Sequence, residues 1–284
     1  MLIKRIMILF FRDKTSVFFS LLAVLIILGL YIMFLGDMME QALEAQLGYT
    51  SPQINIAMAG IIMAGMIAVT SITGCMGALE ISVDDKKRAA LDFLTSPISR
   101  SKITLGYILG SAAVGFIMTM LAFGTYLVYI IARGGSLISA VDFARLLFTV
   151  LLSVLCGNAM VYFLTLFIKT QNAFTAASTL IGSLIGFIMG IYIPIGQLPN
   201  SVGWVIKCFP MSHAASMLRQ ILVDDTLNEL FASAPPESLT SFREMFGVVF
   251  VYGDFTSSFG FSAAVLVFTT LVFYVLSLLV IRAK

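Results

Sequence analysis

Side chains able to do acid–base or nucleophilic chemistry are sparse in this chain. His213 is its single histidine. Asp224 and Asp225 are the carboxylates that could pair with it as a general acid–base couple, and no serine or cysteine is marked as their nucleophile. Cys75, Cys156 and Cys208 are too few and too scattered for a disulfide framework. With one histidine, nothing has the ligand set of a metal cluster, so no metal site is expected. A phosphate-binding loop needs Gly-x-x-x-x-Gly-Lys followed by Ser or Thr, and no Gly-Lys pair occurs anywhere. The chain is therefore expected to be non-catalytic and to bind no cofactor of its own.

Two other groups of residues could do work. The first is the charged stretch 80–102, EISVDDKKRAALDFLTSPISRSK. Ser82 and Asp85 are spaced like a capping box. Asp84 with Arg88, and Arg88 with Asp92, are four apart and could pair on a helix surface. Leu91, Phe93 and Leu94 form an apolar edge and Pro97 bars continuation. These signals predict a short helix over 83–95, anchored at both ends and able to pass force from a soluble partner. A solvated charged loop is the other reading. The second group is polar or small residues inside apolar runs. Gly182, Gly186 and Gly190 recur every four residues, as small residues do where helices pack closely. That packing is expected within the chain ahead of a subunit interface. Asn158 is costly to bury and should find a partner on another helix.

These residues must be positioned by membrane helices. Of the 284 residues, 60% are hydrophobic and 11% charged, whereas soluble domains hold about 25% charged residues. That much apolar surface cannot be hidden in one soluble core. A crossing helix needs about 20 apolar residues, and six stretches qualify: 17–35, 54–79, 103–131, 143–168, 174–193 and 255–281. The fold expected is an all-α membrane protein, a single transmembrane domain over 1–284 with an outer elaboration at 194–254. The first run is too long for a signal-peptide core and is expected to be retained.

Lysine and arginine orient the spans. With both termini in the cytoplasm, 12 of the 17 basic residues lie inside and 5 outside, which predicts a cytoplasmic membrane with both ends facing in. Segment 2–11 is apolar, bracketed by Lys4, Arg5, Arg12 and Lys14, and too short to cross. It reads either as an interfacial helix on anionic lipid or as a bare orientation signal. Between spans five and six, Pro194, Pro199 and Pro210 cut the chain into short pieces. Residues 212–223 look amphipathic, with His213, Ser216, Arg219 and Gln220 off the apolar face, so two short helices are expected on or dipping into the outer leaflet.

Two of these segments resemble ABC-2 permeases, the membrane subunits of one large class of ABC exporters. The family's inner loop reads Gly-Thr-Leu-Glu, two leucines, Pro-Val-Ser-Arg, then Leu-Gly-Lys opening the third span. Its counterpart here is Ala90, Leu91, Asp92, Phe93, Leu94, Thr95, Ser96, Pro97, Ile98, Ser99, Arg100, then Leu105, Gly106 and Tyr107. Ala90 and Asp92 depart from the pattern, and Tyr107 stands where the family often has lysine. Gln197-Leu198-Pro199, Phe209-Pro210-Met211-Ser212 and Leu218-Arg219-Gln220-Ile221-Leu222 resemble the family's short re-entrant helices before the last span.

The resemblance implies a half-transporter that pairs with a second permease copy or relative, in contact with membrane lipid and with no nucleic-acid partner. Two ATP-binding subunits would dock on the cytoplasmic face and hold the ATP and magnesium. Their contact would be the loop helix, with the amino-terminal interfacial helix, through Asp84, Asp85, Lys86, Arg88, Asp92, Phe93, Pro97 and Arg100. Spans two and five would line the route, which makes Met63, Met66, Thr70, Thr73, Thr179 and Ser183 its candidate lining. An apolar or amphipathic cargo such as a drug, lipid or peptide would suit it. Two alternatives stand beside this reading. An ion-coupled secondary carrier usually keeps an ionisable residue deep in a span, and none is expected here. A membrane-embedded lipid-modifying enzyme would have to rest on His213.

Overall fold

The computed structural model describes residues 2–88, 100–135 and 138–283. The chain opens with α1 (Leu2–Arg12), whose Ile6 and Phe10 are buried. Asp13 then caps α2 (Lys14–Leu30), accepting from the backbone N–H of Thr15 and Ser16 at 3.0 and 3.2 Å. Helix α2 passes through a π turn, Tyr31–Leu35, into α3 (Gly36–Leu47) without a break. Gly48, at φ 77, ends it in the left-handed conformation that glycine adopts freely.

The next two helices are long. Helix α4 runs Pro52–Arg88, 37 residues, and α5 runs Arg100–Ala132, 33 residues. At 1.5 Å per residue these are rods of roughly 55 and 50 Å, longer than the ~30 Å apolar core of a bilayer. Ser139 caps α6 (Ala140–Thr165), and Thr170 caps α7 (Gln171–Ile188). A 3₁₀ turn (Ile195–Gln197) leads to α8 (Asn200–Cys208), α9 (Pro210–Leu230) and α10 (Pro236–Met245). A minimal antiparallel hairpin, Val251–Tyr252 against Phe255–Thr256, turns the chain into α11 (Phe259–Ala283).

Five stretches are long and apolar enough to cross a membrane among the described residues: Lys14–Gln41, Pro52–Asp85, Lys102–Ala132, Ala140–Thr165 and Phe259–Arg282. Helix α4 is central: 89% of its most apolar window is buried, against 17% for α11. It packs against α5, α6, α7 and α9. The outer faces remain apolar, with Met33, Phe34, Phe268 and Leu271 exposed, as side chains that meet lipid should be.

Several sequence expectations shift. The fifth crossing, expected over 174–193, is an 18-residue helix that stops at Ile188, about 27 Å long and at the lower end of what can cross. The fourth begins at Ala140, because Ser139 accepts from the Asp142 N–H at 3.1 Å. The last begins at Phe259, because 255–256 pair in the hairpin. Of the helix expected over 83–95, residues 83–88 continue α4, and its remainder, 89–95, lies outside the described residues. Ser82 is no cap; its hydroxyl donates to the Leu79 carbonyl within α4.

A candidate coupling knot and a buried arginine

The bundle has a loop end, at the Arg88 terminus of α4 and the Arg100 terminus of α5, and a hairpin end formed by α8, α9 and α10. At the loop end, Asp85 gathers three elements. Arg5 of α1 donates from both terminal guanidinium nitrogens, Nη1 and Nη2, to the Asp85 carboxylate, at 2.6 and 2.9 Å. Tyr107 of α5 donates its hydroxyl to the same carboxylate at 2.5 Å. This two-pronged arginine grip fixes orientation as well as charge. The hydrogen bonds it donates to Asp85 push the Arg5 guanidinium above its ordinary range, against the opposing effect of burial.

Backbone geometry makes the knot possible. The side chain of Leu2 sits where a Cβ on Gly106 would be, and Ile6 does the same at Gly110, so α1 lies flush on α5. Leu105-Gly106-Tyr107 thus admits α1 with its glycine and holds Asp85 with its tyrosine. Beside the knot is a cavity of about 490 Å³ whose walls include Arg5, Asp13, Glu80, Asp84, Asp85 and Gln171. The Gln171 amide donates to Glu80, tying the start of α7 to α4.

Of the expected coupling residues, Asp84 and Asp85 are therefore brought together at this cavity. Lys86, Arg88 and Arg100 are placed as helix backbone only, and Asp92, Phe93 and Pro97 lie outside the described residues. The expected Ser82–Asp85 box is replaced by the Arg5–Asp85–Tyr107 knot. Arg5 and Tyr107 were not candidates from sequence. A long-range pair 80 residues apart leaves no local spacing to read, and the Leu-Gly-Tyr motif was the one visible signal for Tyr107.

The expected route residues fall into three places. Met63, Met66 and Thr70 are buried in the closed core of the bundle, with the Thr70 hydroxyl bonded to the Met66 carbonyl. Thr73 is half-buried. Thr179 and Ser183 stand on the exposed face of α7, each donating to its own helix. Within the chain, the glycine row of α7 does not form one packing surface. A Cβ on Gly182 would meet nothing within 4 Å, Gly186 lies under the Tyr192 ring, and Gly190 is beyond the helix at φ 63. Asn158 joins three long helices: its amide donates to Ser111 at 2.6 Å, and Tyr274 donates to its carbonyl at 3.1 Å.

At the hairpin end, α9 is not the amphipathic surface helix its spacing suggests. Met211 through Arg219 are all buried, and α9 packs against α4, α6 and α11. Arg219 is wholly buried and donates to four backbone carbonyls: Ile61 in α4, Met189 and Gly190 after α7, and Gly247 after α10. Each of these elements is thereby held at one guanidinium. Burial pulls its pKa down to about 10, which leaves it charged at neutral pH. Sequence reasoning placed Arg219 off the apolar face, because only the packing of α9 against α4 reveals that this stretch of the helix is buried all round.

His213 is a buried staple. Its Nε2 donates to the Lys207 carbonyl and its Nδ1 accepts from Ser262, both at 3.1 Å. Burial lowers its pKa and favours this neutral form. Asp224 pairs with Arg243 at 3.0 Å, so the acid–base couple considered from sequence is not assembled.

A bundle of long apolar helices, a charged knot at the foot of its central rod and a broken helical hairpin at the other end define a multi-pass membrane protein without a recognisable catalytic centre among the described residues. The sequence model of the ABC-2 family transporter proteins matches residues 41–279, and the chain belongs to that family. It is accordingly a membrane subunit of an ABC transporter, a class that works with ATP-binding subunits and is generally non-catalytic itself. No curated protein matches the chain.

Proposed function

We propose that the chain is the permease half of an ATP-driven exporter, with a second permease copy or relative and two separate ATP-binding subunits, in the cytoplasmic membrane with both termini inside. The observation that carries this reading is the Asp85 knot. It welds α1, α4 and α5 at the end where two rods of roughly 50 Å or more emerge toward residues 89–99. A push on that end is delivered directly to α4, which touches most of the bundle. In this reading α7 with the turn after Gly190 makes the sixth crossing. The exposed face bearing Thr179 and Ser183 looks onto the route shared with the second copy, and the cargo is apolar or amphipathic.

The test is a triple charge reversal at Asp84, Arg88 and Asp92 in the reconstituted complex. Cargo-stimulated ATP hydrolysis is expected to disappear while basal hydrolysis by the ATP-binding subunits remains. Full stimulation in that variant would remove the coupling assignment.

Arg219 is a buried ionisable group, the feature that an ion-coupled carrier would need. Its acceptors are all backbone carbonyls, and a guanidinium does not release its proton near neutral pH. It therefore supports an anchor rather than a proton relay.

A further inference from the structure

A second cavity lies on the outside of the bundle at the loop end, a groove of about 500 Å³ between α5, α6 and α11. Its walls are aliphatic, with Leu105 and Leu109 on α5, Leu155 on α6, and Leu278 and Ile281 on α11. Two of its hydroxyls have already given their protons to the protein: Tyr274 donates to Asn158 and Ser277 donates to the Phe273 carbonyl at 2.7 Å. The groove is otherwise chiefly apolar. At its mouth stands Lys102, exposed and in no ion pair among the described residues, and Arg282 follows Ile281 at the same end of α11. From Lys102 to Leu109 the groove runs about 10 Å along α5.

We propose that this groove is a binding site for an anionic phospholipid, with one acyl chain in the slot and the phosphate at Lys102. An apolar groove that opens on a lysine fits a molecule with an acyl tail and a negative head. A neutral lipid would gain the slot but not the lysine. A second copy paired through the exposed face of α7 would leave the groove open, since α7 packs chiefly on α4 while α5, α6 and α11 bound the groove. The site does not depend on the direction of transport or on the nature of the cargo.

The full chain contains one tryptophan, Trp204, at the hairpin end. In a Trp204→Phe background, Leu278→Trp places a fluorophore in the groove wall, and Leu109→Trp gives a second reporter should the first fail to fold. Vesicles of phosphatidylcholine mixed with acyl-brominated phosphatidylglycerol are compared with vesicles in which the brominated lipid is phosphatidylcholine. Quenching is expected to report binding of the anionic lipid about fivefold tighter than the neutral one, the effect of one lysine at a charged membrane surface. Adding Lys102→Gln should bring the ratio to about one. A reporter at Val128, lipid-facing at the other end of α5, should show no headgroup preference. Equal binding of the two lipids at the groove, or a preference that survives Lys102→Gln, would overturn the proposal. So would the absence of quenching by either lipid, which would mean that another molecule covers the groove.

Discussion

Asp85 and Arg219 sit at opposite ends of the protein and solve the same problem by different means. Asp85 is stabilised by two partners that donate to it, so its neighbours can be removed one at a time. Tyr107→Phe deletes one hydrogen bond to a carboxylate that keeps Arg5, and should cost about 1–2 kcal/mol, a drop of a few degrees in thermal unfolding of the purified protein. Asp85→Ala leaves Arg5 and Tyr107 without their acceptor and should cost more than Tyr107→Phe. It should also release α1 to protease. Arg219→Met presents the other case: up to four carbonyls lose a buried donor at once. It should destabilise by roughly 3 kcal/mol or more. Arg219→Lys should recover only part, because an ammonium lacks the fork that reaches several carbonyls together. If Met and Lys at 219 unfold at the wild-type temperature, the anchor role is wrong. Sequence spacing singled out Asp85 with Ser82 as its partner, and set Arg219 off the apolar face of its helix. The true partners of Asp85 are distant in the chain, and burial of Arg219 depends on a helix pair that no local pattern encodes.

The elements were more legible than their ends. Long apolar runs must be helices in a membrane, because an unpaired backbone is too costly there. What the pattern blurred was where each stops, since capping by Ser139 and the hairpin at 251–256 are decided by a few atoms. Helix α9 shows the limit most clearly. Ala214, Ala215, Leu218 and Leu222 recur at helical spacing, but Ser212, His213, Ser216 and Arg219 are buried too, each with an internal hydrogen-bond partner. Its seat on α4 depends on Gly60, where a Cβ would lie 2.4 Å from Val223. Gly60→Ala should therefore destabilise the native protein by about 1–3 kcal/mol through overpacking. In a Val223→Ala background the same change should turn neutral or mildly stabilising, since alanine is the better helix former. A thermal-unfolding cycle over the four variants checks the reversal of sign.

For the whole molecule, α7 carries the strongest expectation. It is short, and Thr179, Leu180, Gly182, Ser183, Leu184 and Phe187 are exposed along its length. If two copies meet there, Thr179→Cys in a background without the exposed Cys208 should cross-link to itself in native membranes, whereas a cysteine at Leu271, on the outer face of α11, should not. Dimers from both positions, or from neither, would place the interface elsewhere. Composition and apolar run length alone determined that this chain lives in a bilayer, roughly where it crosses, and that it lacks a phosphate loop of its own; those follow from the price of exposing apolar surface and from the presence or absence of local motifs. Only the tertiary structure decided which polar side chains meet, namely Asp85 with Arg5 and Tyr107, Asn158 with Ser111 and Tyr274, and Arg219 with its carbonyls. Hydrogen bonds between residues far apart in the chain are set by how rods pack, and rod packing depends on small residues such as Gly60, Gly106 and Gly110 whose partners the sequence does not name.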